Sequence, residues 1–132
     1  HIEQDELALR NLYDLIAPEG RVVILVPAFQ ALYCKIDENL EHFRRYSLRD
    51  LQDKMMRAGF DIVDSFHFNA VGAAGWFMAG KVLRASQIKE GHVAGQKIMM
   101  PIAKAVDSLK LPVGLSVVCV GRKKGDTAVV EN

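Results

Sequence analysis

From Asp5 to Ile16, the apolar residues Ala8, Leu9, Leu12, Leu15 and Ile16 recur at the spacing of one helix face. Asp5 and Glu6 fall in the first turn, where the positive end of the helix dipole favours them. Pro18 and Gly20 end the helix. The run from Arg21 to Pro27 is then apolar without alternation, which predicts a strand covered on both faces. Residues 28–46 carry no period and read as a long loop, of a kind that is uncommon unless functional. A second helix follows, with Leu48, Leu51, Met55 and Ala58 as its stripe. Ser47 and Asp50 are set to cap its start, and Gly59 followed by Phe60 to close its end. Asp61 to Phe68 predicts a strand with Ile62, Phe66 and Phe68 on one face.

The stretch 70–111 reads as a helical insertion. Val71 to Ala85 predicts one helix, weakened by Gly72, Gly75 and Gly80; 86–95 is a polar connection. Lys97 to Leu109 predicts another, with Ile98, Ile102, Ala105 and Leu109 in line and Pro101 in its first turn or at a kink. Leu115 to Val120 predicts a last buried strand, and 125–132 a flexible tail. The pattern is that of an α/β domain with a small three-stranded sheet: a parallel pair plus an antiparallel last strand, with helices on its faces and two inserted helices. The apolar strand at 21–27 needs neighbours on both edges, and the chain offers one.

Composition narrows the class without naming it. The 132 residues suit one domain, and half are hydrophobic. A net charge of +1 gives no pull toward nucleic acid. No apolar run reaches the ~20 residues needed to span a bilayer, and no signal peptide is visible. Cys34 and Cys119 belong to no CxxC pair and read as buried thiols, which fits a cytoplasmic protein; a membrane-peripheral location stays open. No Cys/His spacing suggests a metal.

Several motifs, in this order, resemble class I S-adenosylmethionine-dependent methyltransferases. His1-Ile2, then Asp5-Glu6, is similar to the end of that family's fourth strand and the helix after it. Ala17-Pro18-Glu19-Gly20-Arg21 running into Val22–Pro27 resembles the turn into its fifth strand, and Ala58-Gly59-Phe60 the turn into its sixth. Leu115 to Gly121 resembles its antiparallel seventh. Residues 37–46, with His42, Arg44, Arg45 and Tyr46, resemble a subgroup found beside or fused to glycosyltransferases of surface-polysaccharide pathways.

The resemblance covers residues 1–124 and implies a partial Rossmann-like fold, the carboxy-terminal half of the enzyme. The family's glycine-rich loop and the acidic residue of its second strand have no counterpart here. The chain alone is therefore expected to bind S-adenosylmethionine weakly or not at all and to be inactive. The intact protein is expected to methylate a small or glycan-related acceptor.

The same resemblance assigns candidate residues. Ligands of such sheets sit at the carboxyl ends of the parallel strands. This places His1 on the cofactor side and Pro27 and Phe29 in the pocket wall. Tyr33, Arg45 and Tyr46 become acceptor contacts, Arg45 through its planar fork. His42, with Asp37 nearby, becomes the base that removes a proton. Against this stands a loop pinned only by its own ion pairs and aromatic packing. His67 alternates along a strand and reads as structural; His92 reads as exposed. Trp76, Phe77 and Met78 read either as a helix packed on the sheet or as a cap or membrane contact. Two other classes remain: a non-catalytic module pairing with another copy or chain through an exposed sheet edge, and a peripheral membrane module.

Overall fold

A computed structural model describes residues 1–83 and 100–125. The elements are α1 (Asp5–Leu15), β1 (Arg21–Pro27), α2 (Lys35–Asn39), α3 (Leu48–Arg57), β2 (Asp61–Phe68) and α4 (Ala70–Phe77). A helix over residues 100–107, here α5, and β3 (Ser116–Arg122) complete them. The fold is mixed α/β around a three-stranded sheet in the order β1-β3-β2.

Both pairings of this sheet are antiparallel, which corrects the expected parallel pair. β1 and β2 run the same way but never bond to each other, because β3 lies between them. A same-direction pair separated by one helix looks, in sequence, like a hydrogen-bonded βαβ unit. The strand inserted between them arrives more than forty residues later.

The core lies on one face of the sheet. Opposite partners in an antiparallel ladder share a face. Val22, Ile24 and Val26 of β1 therefore join Val117, Cys119 and Gly121 of β3 beneath α3, whose Leu51 and Met55 are fully buried. The other face is only partly covered. Val23 and Leu25 are 65% and 59% exposed, so β1 is not the strand covered on both faces that its apolar run predicts. In β2 a bulge between Ile62 and Asp64 makes Val63 an extra residue. Side-chain alternation restarts there. Ile62, Ser65 and His67 point to the core face, whereas Phe66 and Phe68 point to the opposite one, against the single face predicted for Ile62, Phe66 and Phe68.

Local chemistry explains the helix ends. Ser47 Oγ accepts the Asp50 N–H at 3.0 Å and starts α3. Gly59, at φ 107°, ends it: its N–H reaches the Met56 carbonyl while the Phe60 N–H reaches Met55, the paired bonds of a Schellman turn. Phe60 then packs edge-on against Tyr13 of α1. The helix predicted over 71–85 is α4 followed by one π turn over Met78–Val82; its last two residues lie outside the described ones, as do residues 86–99, His92 and the tail beyond 125.

Candidate functional site

The segment 28–46 is where the chemistry gathers. It is not a bare loop: a 3-10 turn at Gln30–Leu32 and the short α2 punctuate it. It leaves the carboxyl end of β1 and returns to it. The Phe29 N–H donates to the Tyr46 carbonyl and the Tyr46 N–H to the Pro27 carbonyl, a parallel bridge on the outer edge of β1.

Asp37 is its hub. This carboxylate is completely buried and accepts from three donors: the Cys34 N–H at 3.0 Å, His42 Nδ1 at 3.0 Å and Arg45 Nε at 2.9 Å. Burial alone would raise its pKa, but those bonds outweigh it and hold the carboxyl below its ordinary value. An ionised carboxylate only accepts, so His42 Nδ1 carries the hydrogen, and in the neutral ring Nε2 holds the lone pair. Asp37 therefore fixes the tautomer of His42 as well as its orientation. The Tyr33 hydroxyl donates to the His42 carbonyl at 2.9 Å and holds its backbone.

Arg45 does not serve as the outward fork expected of it. It is 5% exposed, bonded to Asp37 and the Ala28 carbonyl, and its guanidinium lies 4.7 Å from the centre of the Trp76 ring. Tyr46 is also tied inward. Its hydroxyl donates to Asp5 at 2.7 Å, where Lys54 and Arg44 converge on the same oxygen. Burial raises the pKa of Asp5, and Lys54, Tyr46 and Arg44 reverse that and bring it down to about 2. Burial, then the bond to Asp5, pushes Tyr46 up to about 12.

Two cavities meet at His42. A groove of about 450 Å³ runs between α1 and the carboxyl half of β1, its walls including Ile2, Ala8, Leu12, Leu25, Pro27 and Tyr46. A second, of about 540 Å³, is bounded by Tyr33, Glu38, Glu41 and Phe43. His1, His42 and Phe43 line both, and the two histidine rings lie 4.6 Å apart.

The structure thus brings together His1, Pro27, Tyr33, Asp37, His42 and Tyr46. Phe29 goes elsewhere: it stacks on His67, ring centres 5.0 Å apart, and packs on the core. Asp5 and Cys34 were missed as members of this region. Asp5 reads in sequence as a helix-dipole residue, and the signal at Cys34 is its spacing of three from Asp37, the separation at which a helix-start side chain reaches back to a free N–H. Cys34 and Cys119 are both free, and burial raises Cys119 to about 11. No group of three or more metal-capable side chains occurs among the described residues.

No family model matches the chain, and no curated protein matches it.

Proposed function

We propose that this chain is the acceptor-side, carboxy-terminal half of a class I S-adenosylmethionine-dependent methyltransferase of partial Rossmann-like fold, acting on a small or glycan-related hydroxyl. The observation that carries the reading is the Asp37–His42 pair at the carboxyl end of β1. It presents an imidazole oriented by a buried carboxylate to two cavities, the arrangement a general base requires. The antiparallel last strand and the same direction of β1 and β2 agree with the order of the motifs. The edge of β1 away from β3 supports a larger sheet. The residues that bond β3 are the even-numbered ones, so Arg21, Val23 and Leu25 turn their backbone groups outward.

The residues present do not form a site for the cofactor by themselves. The groove beside β1 is walled mainly by apolar side chains, and its charged members Asp5, Arg44 and Lys54 are already paired with one another. The proposal therefore gives this chain the proton-removing role only, with His42 Nε2 taking the hydrogen from the acceptor hydroxyl and Asp37 stabilising the resulting cation. In the intact protein, His42→Ala should lower methyl transfer from radiolabelled donor well over tenfold. Turnover near the parent level would remove His42 from the mechanism. Calorimetry of this chain alone with S-adenosylmethionine should give no measurable heat of binding; micromolar affinity would refute the division of labour.

Among the described residues no strand pairs with Arg21–Leu25 on that edge, which favours a second reading, a non-catalytic module that adds a strand from another copy or chain to β1. Self-association visible by size exclusion, and abolished by Leu25→Lys, would favour it; a monomer at ~100 μM would discard pairing with a second copy.

A further inference from the structure

The outer surface of α4 and its π turn is apolar where a surface helix is ordinarily polar. Ala74, Phe77, Met78 and Val82 are all exposed, at the spacing of one helical stripe, with the exposed Lys81 at its margin. The inner stripe explains this orientation. Trp76 lies against Arg45, and Gly80 packs so closely on Cys34 that a Cβ there would sit 2.5 Å from Sγ. The helix cannot turn its apolar outer residues inward without breaking those contacts. α5 behaves the same way. Ala103, Val106 and Asp107 are the sheltered side, while Ile102, Ala105 and Leu109 face out; Leu109 is 69% exposed, as is Leu83 at the end of the π turn. Asp107 accepts the N–H of Ala70, so the two helices are fastened to each other at the start of α4.

Charge says what kind of partner would cover this surface. By sequence, residues 70–115 hold six basic and two acidic side chains, three and one of which lie outside the described residues, so this third of the chain is net +4 and the rest is net −3. Of the described cations in it, Lys81, Lys104 and Lys110 are exposed; Lys81 also donates to the Tyr33 carbonyl at 2.7 Å and Lys110 faces Asp64 at 3.5 Å, while Lys104 stands among the outward apolar residues of α5. Large apolar side chains with lysines at their margin suit a bilayer interface that carries negative headgroups. There the apolar groups enter the acyl boundary and the cations remain at headgroup level. No helix among the described residues is long and apolar enough to cross a membrane.

We propose that the outer faces of α4, its π turn and α5 form a docking surface for an anionic lipid bilayer. The contact is peripheral. It leaves His42 and its two cavities free, because neither cavity includes a residue of these helices.

The test is flotation of the full chain with vesicles of phosphatidylcholine alone and with 30% phosphatidylglycerol. The chain should float with the anionic vesicles and not with the neutral ones. Raising salt from 50 to 500 mM should release most of it. Phe77→Ser with Met78→Ser should abolish flotation with the far-ultraviolet circular dichroism unchanged, because both side chains are exposed. Lys104→Glu should weaken binding on the order of tenfold. Absence from anionic vesicles overturns the proposal, as does equal binding to neutral ones. So does a result in which the serine substitutions instead dissolve a dimer seen by size exclusion, since the surface would then cover a second copy.

Discussion

Residues 28–46 and the described parts of 70–113 both lie outside the frame of sheet and long helices, and they solve the problem of stability in opposite ways. The first segment turns polar groups inward and satisfies them. Asp37 has three donors and the Arg45 guanidinium has two acceptors and an aromatic face. The second turns apolar groups outward, at Phe77, Met78, Val82 and Leu83 and again at Ile102 and Leu109. A buried polar cluster is costly to disturb because each member depends on the others. A bare apolar surface costs the fold little when altered and matters only to whatever covers it. Chemistry is therefore to be sought in the first region and docking in the second.

The widest expected gap between them comes from Asp37→Ala. Removing this carboxylate leaves Arg45 buried without a counter-charge, and breaking a buried pair on one side costs about 3–5 kcal/mol. Met78→Ser, in the other region, should stay within about 0.5 kcal/mol. Urea unfolding of the two variants beside the parent measures both. Adding Arg45→Met to Asp37→Ala should restore part of the loss, because the stranded charge is gone. Equal small losses for Asp37→Ala and Met78→Ser would erase the distinction.

Much of the frame was legible in the residues. The three strands and α3 follow from apolar runs, periodicity and caps, since these are local signals. The order of the sheet was not, because nothing in the composition of β1 or β2 tells whether a later strand will part them. The bulge at Val63 was hidden for a similar reason: one extra residue changes the facing of Phe66 and Phe68 but leaves an alternating pattern on each side. At five residues, α2 is too short to display a period. Within the site, the chemical types of Asp37, His42 and Arg45 marked their neighbourhood. What stayed hidden was which of them would face outward. Arg45 lies inward because Trp76, thirty-one positions on, covers it. That contact also links the two regions just contrasted.

A change in pH should sharpen the contrast, because a titratable hub lies under the first region. Asp5 ties Arg44 and Tyr46 at the end of this segment to Lys54 of α3, and its pKa is lowered from 3.8 to about 2. A depressed carboxyl pKa stabilises the fold above the unfolded value and loses that contribution as pH falls through the folded one. Asp5 should thus contribute on the order of 2 kcal/mol at neutral pH, fading between roughly pH 4 and pH 2. Asp37, shifted in the same direction, acts in the same sense. Asp5→Asn should lower stability near neutrality and flatten the acid limb of a stability–pH curve taken from chemical denaturation. An acid limb as steep as the parent's would mean the convergence on Asp5 contributes nothing.

The finest distinction lies at the junctions where each region meets the frame. Ser47 closes the first and caps α3, and Asn69 opens the second and caps α4 by accepting the Gly72 N–H at 2.8 Å. Their backbones differ. Ser47 is extended, whereas Asn69 is left-handed at φ 64°, a conformation asparagine tolerates and alanine resists. Ser47→Ala should therefore cost about 1 kcal/mol, the value of the lost cap alone. Asn69→Ala should cost about twice that, the strain adding to the cap, and Asn69→Gly less than Asn69→Ala because glycine removes the strain. Thermal unfolding of the three variants gives the ranking. Should Asn69→Gly prove as harmful as Asn69→Ala, the side-chain bond to Gly72 rather than the backbone would be what holds the second region to the sheet.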